Sequence, residues 1–412
     1  MKVVLVQGKY FNIWEAIGCA YLGAVAKKQM DSRLDVSFFQ GYFDSDDQII
    51  CSAIGADIVG FSCTSPSYAH CLSIAKQVKN INPNVYTVFG GWHPSAVPAI
   101  IHESTVDCVV VGEGESAFVD ILRGRREKVI YADSATDLDS LPYPDRKLIK
   151  NSREIDLAFE MTGLRIASFQ SVRGCPRNCV FCSEHAVSGP LKSGTGLRLR
   201  SAGSLVEEIN KTAAEYGLNY FKFVDPTWNI SEKKVVEFCE EKRRTGNTLT
   251  WECNLHASFV TETMLKAMKD AGCCQINIGC ESGSTRILKD MKKGLTIDKV
   301  KSVFDWGLKL GLKRRAFFIL GMPNETEEDI KMTERLIDEI EPDVFGITLL
   351  CPYPGSALYG PEHANIEWSK TDEYSNDFWR SKMLTNSELK SWQKYFVTKY
   401  KEKVCWHNKE VV

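Results

Sequence analysis

The chain has 412 residues, enough for two domains of ordinary size. Its 44% hydrophobic and 25% charged residues exclude a disordered, collagen-like or repeat-biased chain, and a net charge of −2 supplies no basic field for nucleic acid. No apolar run nears the roughly 20 residues of a bilayer span. The opening run Met1–Val6 stops at Gln7-Gly8-Lys9, too short for a signal-peptide core, so it is read as a first strand and the protein is expected in the cytoplasm.

Residues 1–122 alternate short apolar runs with helical periodicity. Strands are predicted at Val3–Val6, Val36–Phe39, Ile58–Ser62, Val85–Phe89 and Cys108–Val111. Helices are predicted near Ile17–Gln29, Asp46–Ile54, Tyr68–Asn80, Ser95–His102 and Ser116–Leu122. Five such β–α units predict a parallel sheet covered on both faces. Ligands of these sheets lie beyond the carboxyl ends of the strands. Ser62-Cys63-Thr64 closes the third strand and Gly90-Gly91 the fourth, where small residues let a large planar ligand near the backbone and hydroxyls offer hydrogen bonds. No G-x-G-x-x-G follows the first strand, which disfavours a dinucleotide.

Residues 126–165, charged and then polar with Pro142 and Pro144, read as a linker after a first domain of residues 1–125. Alternation returns over 166–358. Strands are predicted at Ile166–Ser171, Tyr220–Val224, Leu249–Asn254, Gln275–Gly279, Arg315–Leu320 and Val344–Cys351. Intervening helices are predicted near Ser204–Tyr216, Glu232–Thr245, Thr261–Ala271 and Ile297–Leu310. Six β/α units fit a partial barrel, whose working parts lie at the C-terminal strand ends. Residues 359–412 form a polar extension with a helix near Asn386–Val404.

Fifteen cysteines are many for such a chain. Most sit in apolar runs and read as reduced, buried small hydrophobes, which suits a reducing cytoplasm. Three do not. Cys175, Cys179 and Cys182 follow the first barrel strand with C-x3-C-x2-C spacing, so three thiolates can converge from one loop on three irons of a 4Fe–4S cluster. The alternatives are idle thiols or a zinc loop, for which His185 is the available fourth ligand.

At these residues the chain resembles the radical S-adenosylmethionine (SAM) superfamily over about residues 166–358. The resemblance implies that the fourth iron chelates SAM and that its cleavage gives a 5′-deoxyadenosyl radical. Gly279-Cys280-Glu281-Ser282-Gly283 looks like the family's G-x-E-S-G segment. Glu281 would then accept from SAM, while Ser282 and Gly283 leave room for it. Gly321-Met322-Pro323-Asn324-Glu325-Thr326 resembles a stretch near adenine, although Thr326 is also a good helix N-cap. Arg315 is a candidate for the SAM carboxylate; its neighbour Arg314 competes, because alternation lets only one face inward.

Residues 3–122 resemble the cobalamin-binding Rossmann-like domain that accompanies one radical SAM subfamily. Ser62, Thr64, Gly90, Gly91, His93, Gly112, Glu113 and Gly114 carry the resemblance. One departure matters. Where many cobalamin domains have D-x-H-x-x-G, this chain has Ile13-Trp14-Glu15-Ala16-Ile17-Gly18. Glu15 stands at the His position, and a carboxylate is a poor match for cobalt, so base-off cobalamin without a His ligand is expected. His93 is the nearest other candidate for the axial position.

Trp228, after the second barrel strand, either nears the cobalamin or closes the barrel. His256 is read as a SAM or substrate contact or as a structural residue. Tyr353, in a loop after the last strand, is read as a substrate contact or proton donor, or as a packed turn residue. The reading is therefore an α/β protein: a Rossmann-like cobalamin domain, a partial (β/α)6 radical SAM barrel and a short helical C-terminal region. The implied activity is methyl transfer from methylcobalamin to an unactivated sp3 carbon, with a ferredoxin or flavodoxin as electron donor. The short C-terminal region suits a peptide or protein substrate, with residues of methyl-coenzyme M reductase as one case. A small-molecule methyltransferase, a non-methylating cyclase or oxidoreductase, and a non-catalytic cobalamin-binding protein are the alternatives.

Overall fold

A computed structural model describes residues 1–10, 15–30, 33–188, 196–370 and 372–405. The chain divides into two compact units. The first comprises Met1–Thr162, Ser183–Arg198 and Tyr353–Lys370; the second comprises Gly163–Cys182, Leu199–Pro352 and Thr371–Val412.

In the first unit β1 (Lys2–Gln7), α1 (Ile17–Gln29), β2 (Asp35–Gln40), α2 (Asp46–Ala53), β3 (Ile58–Ser62), α3 (Ser65–Ile81), β4 (Tyr86–Gly90), α4 (Trp92–Ala96), β5 (Cys108–Val111), α5 (Gly114–Leu122), β6 (Val129–Tyr131) and α6 (Ser152–Thr162) follow in turn. All six strands are parallel, in the order β2-β1-β3-β4-β5-β6. Val4 and Val6 of β1 face a core shared with α2 and α3, while Val3 and Leu5 face one shared with α1 and α5. Both faces are thus covered, which is why the strands read as unbroken apolar runs. The order reverses between β1 and β3, so a crevice opens at their carboxyl ends. The stretch read as linker supplies β6, paired to β5 through Val109–Val129, and α6. A three-residue strand beside a charged run leaves too little periodicity to read.

The second unit begins with β7 (Ile166–Phe169) and β8 (Val172–Arg173). Helix α7 (His185–Ser188) and β9 (Arg198–Leu199) belong to segments grouped wholly or partly with the first unit. Then come α8 (Ala202–Tyr216), β10 (Tyr220–Phe223), α9 (Glu232–Arg244), β11 (Thr250–Leu255), α10 (Glu262–Asp270), β12 (Cys273–Glu281), α11 (Thr285–Asp290), α12 (Ile297–Lys309), β13 (Lys313–Leu320), α13 (Glu327–Ile340), β14 (Val344–Leu349) and α14 (Asn386–Lys399). The six barrel strands run parallel as β14-β13-β12-β11-β10-β7. Ser, Thr and the S/T-x-x-D/E pattern start most helices; Thr326 and Asp329 cap α13 reciprocally. The open edge at β14 is covered, since Phe345 N–H donates to Lys403 and Cys405 N–H donates to Phe345. Among the described residues no helix is long and apolar enough to cross a membrane.

Candidate active site

The cysteine loop leaves β7 and is held by the end of β10. Buried Asp225 accepts from Ser171 N–H, Val172 N–H and Ser171 Oγ–H, each at 2.8 Å. Burial pushes its carboxyl up to about 6 against those hydrogen bonds. Two residues on, Thr227 Oγ1 lies 3.5 Å from Cys175 Sγ. Cys175 is buried, Cys179 and Cys182 are half-buried, and none is in a disulfide. Between them Arg177 lies over the Phe259 ring and donates to Ser258 Oγ at 2.5 Å. Burial raises the Cys179 thiol, and the Lys293 charge opposes this. Among the described residues no group of three or more His, Cys, Asp and Glu side chains closes on one metal ion. A cuboidal cluster asks each thiolate for a different iron, and three soft sulfur donors on one loop fit that demand.

Glu281 ends β12 in a left-handed conformation, φ 61°, where the register with β13 shifts. Its Oε1 accepts from Lys293 Nζ at 2.6 Å. A side chain at Gly279 would strike both groups, so the first glycine of the motif makes room for this pair. Ser282 and Gly283 behave differently from the sequence expectation. The Ser282 hydroxyl lies 3.4 Å from Thr333 Oγ1 and accepts from Ser284 N–H, and a Cβ at Gly283 would lie 2.2 Å from the Met332 carbonyl oxygen. The space expected for a ligand there is filled by α13. Gly321, φ 97°, meets the Trp379 indole, which donates to its carbonyl at 2.7 Å. Its own N–H donates to Glu325, fully buried, whose carboxyl burial pushes up to about 8.

Burial along β13 separates the two arginines. Arg314 is buried with Ala316, Phe318 and Leu320, and its guanidinium is clamped by Asp343 and the carbonyls of Ile340 and Glu341. Arg315 shares the other face with Phe317 and Ile319, over the Phe317 ring.

In the first unit, Ser62, Gly90, Gly91 and Gly112 lie at the carboxyl ends of β3, β4 and β5. Ser62 is half-buried and Thr64 exposed, where it caps α3 with Ser67. Gly91 has φ 99°, and a Cβ there would lie 2.9 Å from the Cys63 carbonyl. A Cβ at Gly90 would meet nothing closer than 3.9 Å. Ser95, unremarked in the sequence, joins the two turns: its hydroxyl donates to Gly91 and accepts from Gly112 N–H. Glu113 forms a buried bidentate ion pair with Arg198, so its carboxylate is engaged within the protein. Gly114 opens α5 against Leu22. His93 is buried, 3.0 Å from Ser65 Oγ and stacked on Tyr68 at 4.4 Å; burial pushes it down to about 4. Ile13 and Trp14 lie outside the described residues. Glu15 accepts from Asn151 at 2.7 Å and pairs with Arg146 at 3.5 Å.

Residues 169–337 match the model of the radical SAM superfamily and residues 3–122 that of the B12 binding domain. An uncharacterised methyltransferase of Pyrococcus horikoshii is 31% identical over 379 residues, 86% of this chain and 81% of that one. The chain belongs to the cobalamin-dependent radical SAM family. The anaerobic magnesium-protoporphyrin IX monomethyl ester cyclase of Cereibacter sphaeroides is 26% identical over 94% of this chain and 68% of its own length. The methyltransferase TsrM of Kitasatospora setae, solved with cobalamin and a 4Fe–4S cluster, shares the fold with a TM-score of 0.70 at 16% identity, over 87% of this chain and 73% of that one.

Family membership gives the cofactors: a 4Fe–4S cluster, SAM and cobalamin. Two further sequence candidates occupy packed positions. Trp228 is buried among Phe223, Phe238 and Trp251, with its ring 5.0 Å from that of Trp251, as expected of a residue that closes the barrel. Tyr353 sits in the first unit with its ring 5.5 Å from Trp368. The sequence marks the segment Asp225–Trp228 without giving Asp225 itself a role, and it gives no sign of Lys293. Asp-Pro at a strand end reads as a turn, and a lysine in Met-Lys-Lys-Gly reads as a solvated helix terminus.

Proposed function

We propose that this family member is a C-methyltransferase acting on an unactivated sp3 carbon. When bound, the cluster and SAM supply a hydrogen-abstracting 5′-deoxyadenosyl radical and cobalamin carries the methyl group. Cys175, Cys179 and Cys182 would hold the cluster, with Asp225 fixing the start of their loop. Glu281, on the same end of the barrel, would accept from the SAM ammonium, and Arg315 would offer its guanidinium to the SAM carboxylate. Ser62, Thr64, Gly90, Gly91 and Gly112 would line the cobalamin. The observation that carries the reading is the loop itself: three thiols outside any disulfide within eight residues, anchored by a buried carboxylate at the C-terminal end of a parallel barrel.

The substrate we favour is a small molecule rather than a peptide or protein residue. The cyclase relative is named for one. That relative, matched over 94% of this chain, also supports a second reading, oxidative ring closure. Anaerobic reconstitution with iron, sulfide, cobalamin, SAM and a low-potential donor of the ferredoxin or flavodoxin class separates them by product mass. Methyl transfer adds one methylene unit, and ring closure removes two hydrogens. A product of unchanged carbon count overturns the methyltransferase reading.

A further inference from the structure

One buried cation in the second unit has a set of partners that packing alone does not require. Lys293 is 9% exposed, and its ammonium is 2.6 Å from Glu281 Oε1 and 5.9 Å from the centre of the Phe181 ring, inside the cysteine loop. Its charge acts on the Cys179 and Cys182 sulfurs as well as on Glu281. A desolvated ammonium is costly unless matched by negative charge.

The backbone of Lys293 is tied to the same loop. Arg177 donates to Ser258 Oγ at 2.5 Å, Ser258 lies 2.7 Å from His256 Nδ1, and His256 Nε2 lies 3.0 Å from the Lys293 carbonyl. Ser258 N–H also donates to His256 Nδ1. With Nδ1 accepting, Nε2 carries the proton and donates to the carbonyl, so every link runs one way from Arg177 to Lys293. Burial, with Lys293 and Arg177 nearby, pushes His256 down to about 3, which keeps this neutral tautomer at physiological pH. Gly279 completes the arrangement, because a Cβ there would lie 2.4 Å from Glu281 Oε1 and 2.8 Å from Lys293 Nζ.

We infer that Lys293 is a positioning residue of the cluster site: tied to the cysteine loop through Arg177, Ser258 and His256, it holds Glu281 in its left-handed conformation and sets a fixed positive charge beside the cluster thiolates. This rests on the reading that the three cysteines hold a cluster. A buried positive charge favours the more negative state of a nearby redox centre, so Lys293 eases one-electron reduction of the cluster by a ferredoxin- or flavodoxin-class donor. Glu281 acts in the opposite sense.

The test is a redox titration of the reconstituted full chain, followed by electron paramagnetic resonance, with iron and sulfide measured on every sample. Lys293→Met is expected to load its cluster yet to be harder to reduce by about tenfold in the equilibrium constant, which is ~59 mV for one electron. Lys293→Arg keeps the charge and is expected to stay near wild type. Glu281→Gln is expected to shift the potential upward, and it carries the sign of the argument if Lys293→Met does not fold. Normally loaded variants with the wild-type potential overturn the Lys293 assignment alone. Wild-type protein that takes up no iron under conditions that reconstitute a ferredoxin overturns the cluster reading beneath it.

Discussion

The two cofactor regions are built in opposite ways. The barrel site is crowded with charged side chains in a connected network: Asp225 on the loop backbone, Glu281 on Lys293, Arg177 through Ser258 to His256. The edge of the first sheet offers mainly backbone, hydroxyls and missing side chains at Ser62, Thr64, Gly90, Gly91 and Gly112, while Glu113 and Glu15 are engaged in ion pairs. On the proposed reading a small, highly charged inorganic group would be held by specific donors at fixed spacing, and a large macrocycle would be accommodated by space. Loss of one group should therefore be all-or-none at the first site and graded by size at the second.

The largest expected effect lies at the loop. Cys175→Ala, Cys179→Ala and Cys182→Ala should each abolish iron–sulfur absorption and SAM cleavage, because on the proposed reading each thiolate would serve a different iron. Cobalamin content should persist. A variant with full cluster content would remove that cysteine from the ligand set.

At the sheet edge the structure separates two glycines that look alike in sequence. Gly91→Ala would place a Cβ 2.9 Å from the Cys63 carbonyl at φ 99°, so it should destabilise the fold itself. A Cβ at Gly90 would make only an ordinary contact with Val110 at 3.9 Å, so Gly90→Leu should fold, load its cluster and lose cobalamin by about tenfold or more, as added apolar bulk at a contact surface implies. Equal cobalamin content in Gly90→Leu and wild type, by absorption after gel filtration, would move the ring elsewhere.

Asp225→Asn should sit between loss of the site and no effect. The amide keeps its oxygen for the two backbone donors and turns an N–H toward Ser171 Oγ, which must then accept, leaving its own proton without that acceptor. Leaving such a buried group unmatched costs about 1–3 kcal/mol. Thermal unfolding should shift down, and iron content should fall without reaching zero. An unchanged melting temperature would mean that the clamp contributes nothing to the loop.

These contrasts also explain what could be read from the sequence. The cysteine spacing was legible because the ligands are local and chemically rare. The β/α alternation was legible because the first sheet is buried on both faces and the barrel strands bury at least one. The glycines were ambiguous for a physical reason: a missing Cβ records that something comes close, not what. At Gly91 it is the neighbouring β3 turn, at Gly283 the backbone of α13, at Gly321 the indole of Trp379. Arg314 and Arg315 could not be told apart until Asp343, 28 residues beyond Arg315, claimed one of them. Lys293 and Asp225 carry no local signature, since their partners come from other strands.

The smallest effect concerns the lower face of cobalamin, and it is informative because two measurements should disagree. Glu15 is held by Arg146 and Asn151, and His93 is buried against Ser65 and Tyr68. Glu15 carries no side-chain nitrogen, and His93 spends Nδ1 on Ser65 with its buried ring stacked on Tyr68. The cob(II)alamin spectrum should therefore be base-off, without nitrogen superhyperfine splitting, and His93→Gln should leave it unchanged. The same variant should change the acid response. His93 is pushed from 6.5 down to about 4 in the folded protein. Below pH 6.5 the unfolded chain binds a proton that the folded one refuses, so stability is fully present above 6.5 and is lost as pH falls toward 4. Between pH 7 and pH 5 this histidine should account for about 2 kcal/mol of the loss, at 1.36 kcal/mol per pH unit. The gap in unfolding free energy between wild type and His93→Gln, read from denaturant titrations, should narrow by that amount on acidification. A superhyperfine pattern that vanishes in His93→Gln would make His93 the axial ligand, and a gap independent of pH would mean that His93 titrates in the fold as it does in the unfolded chain.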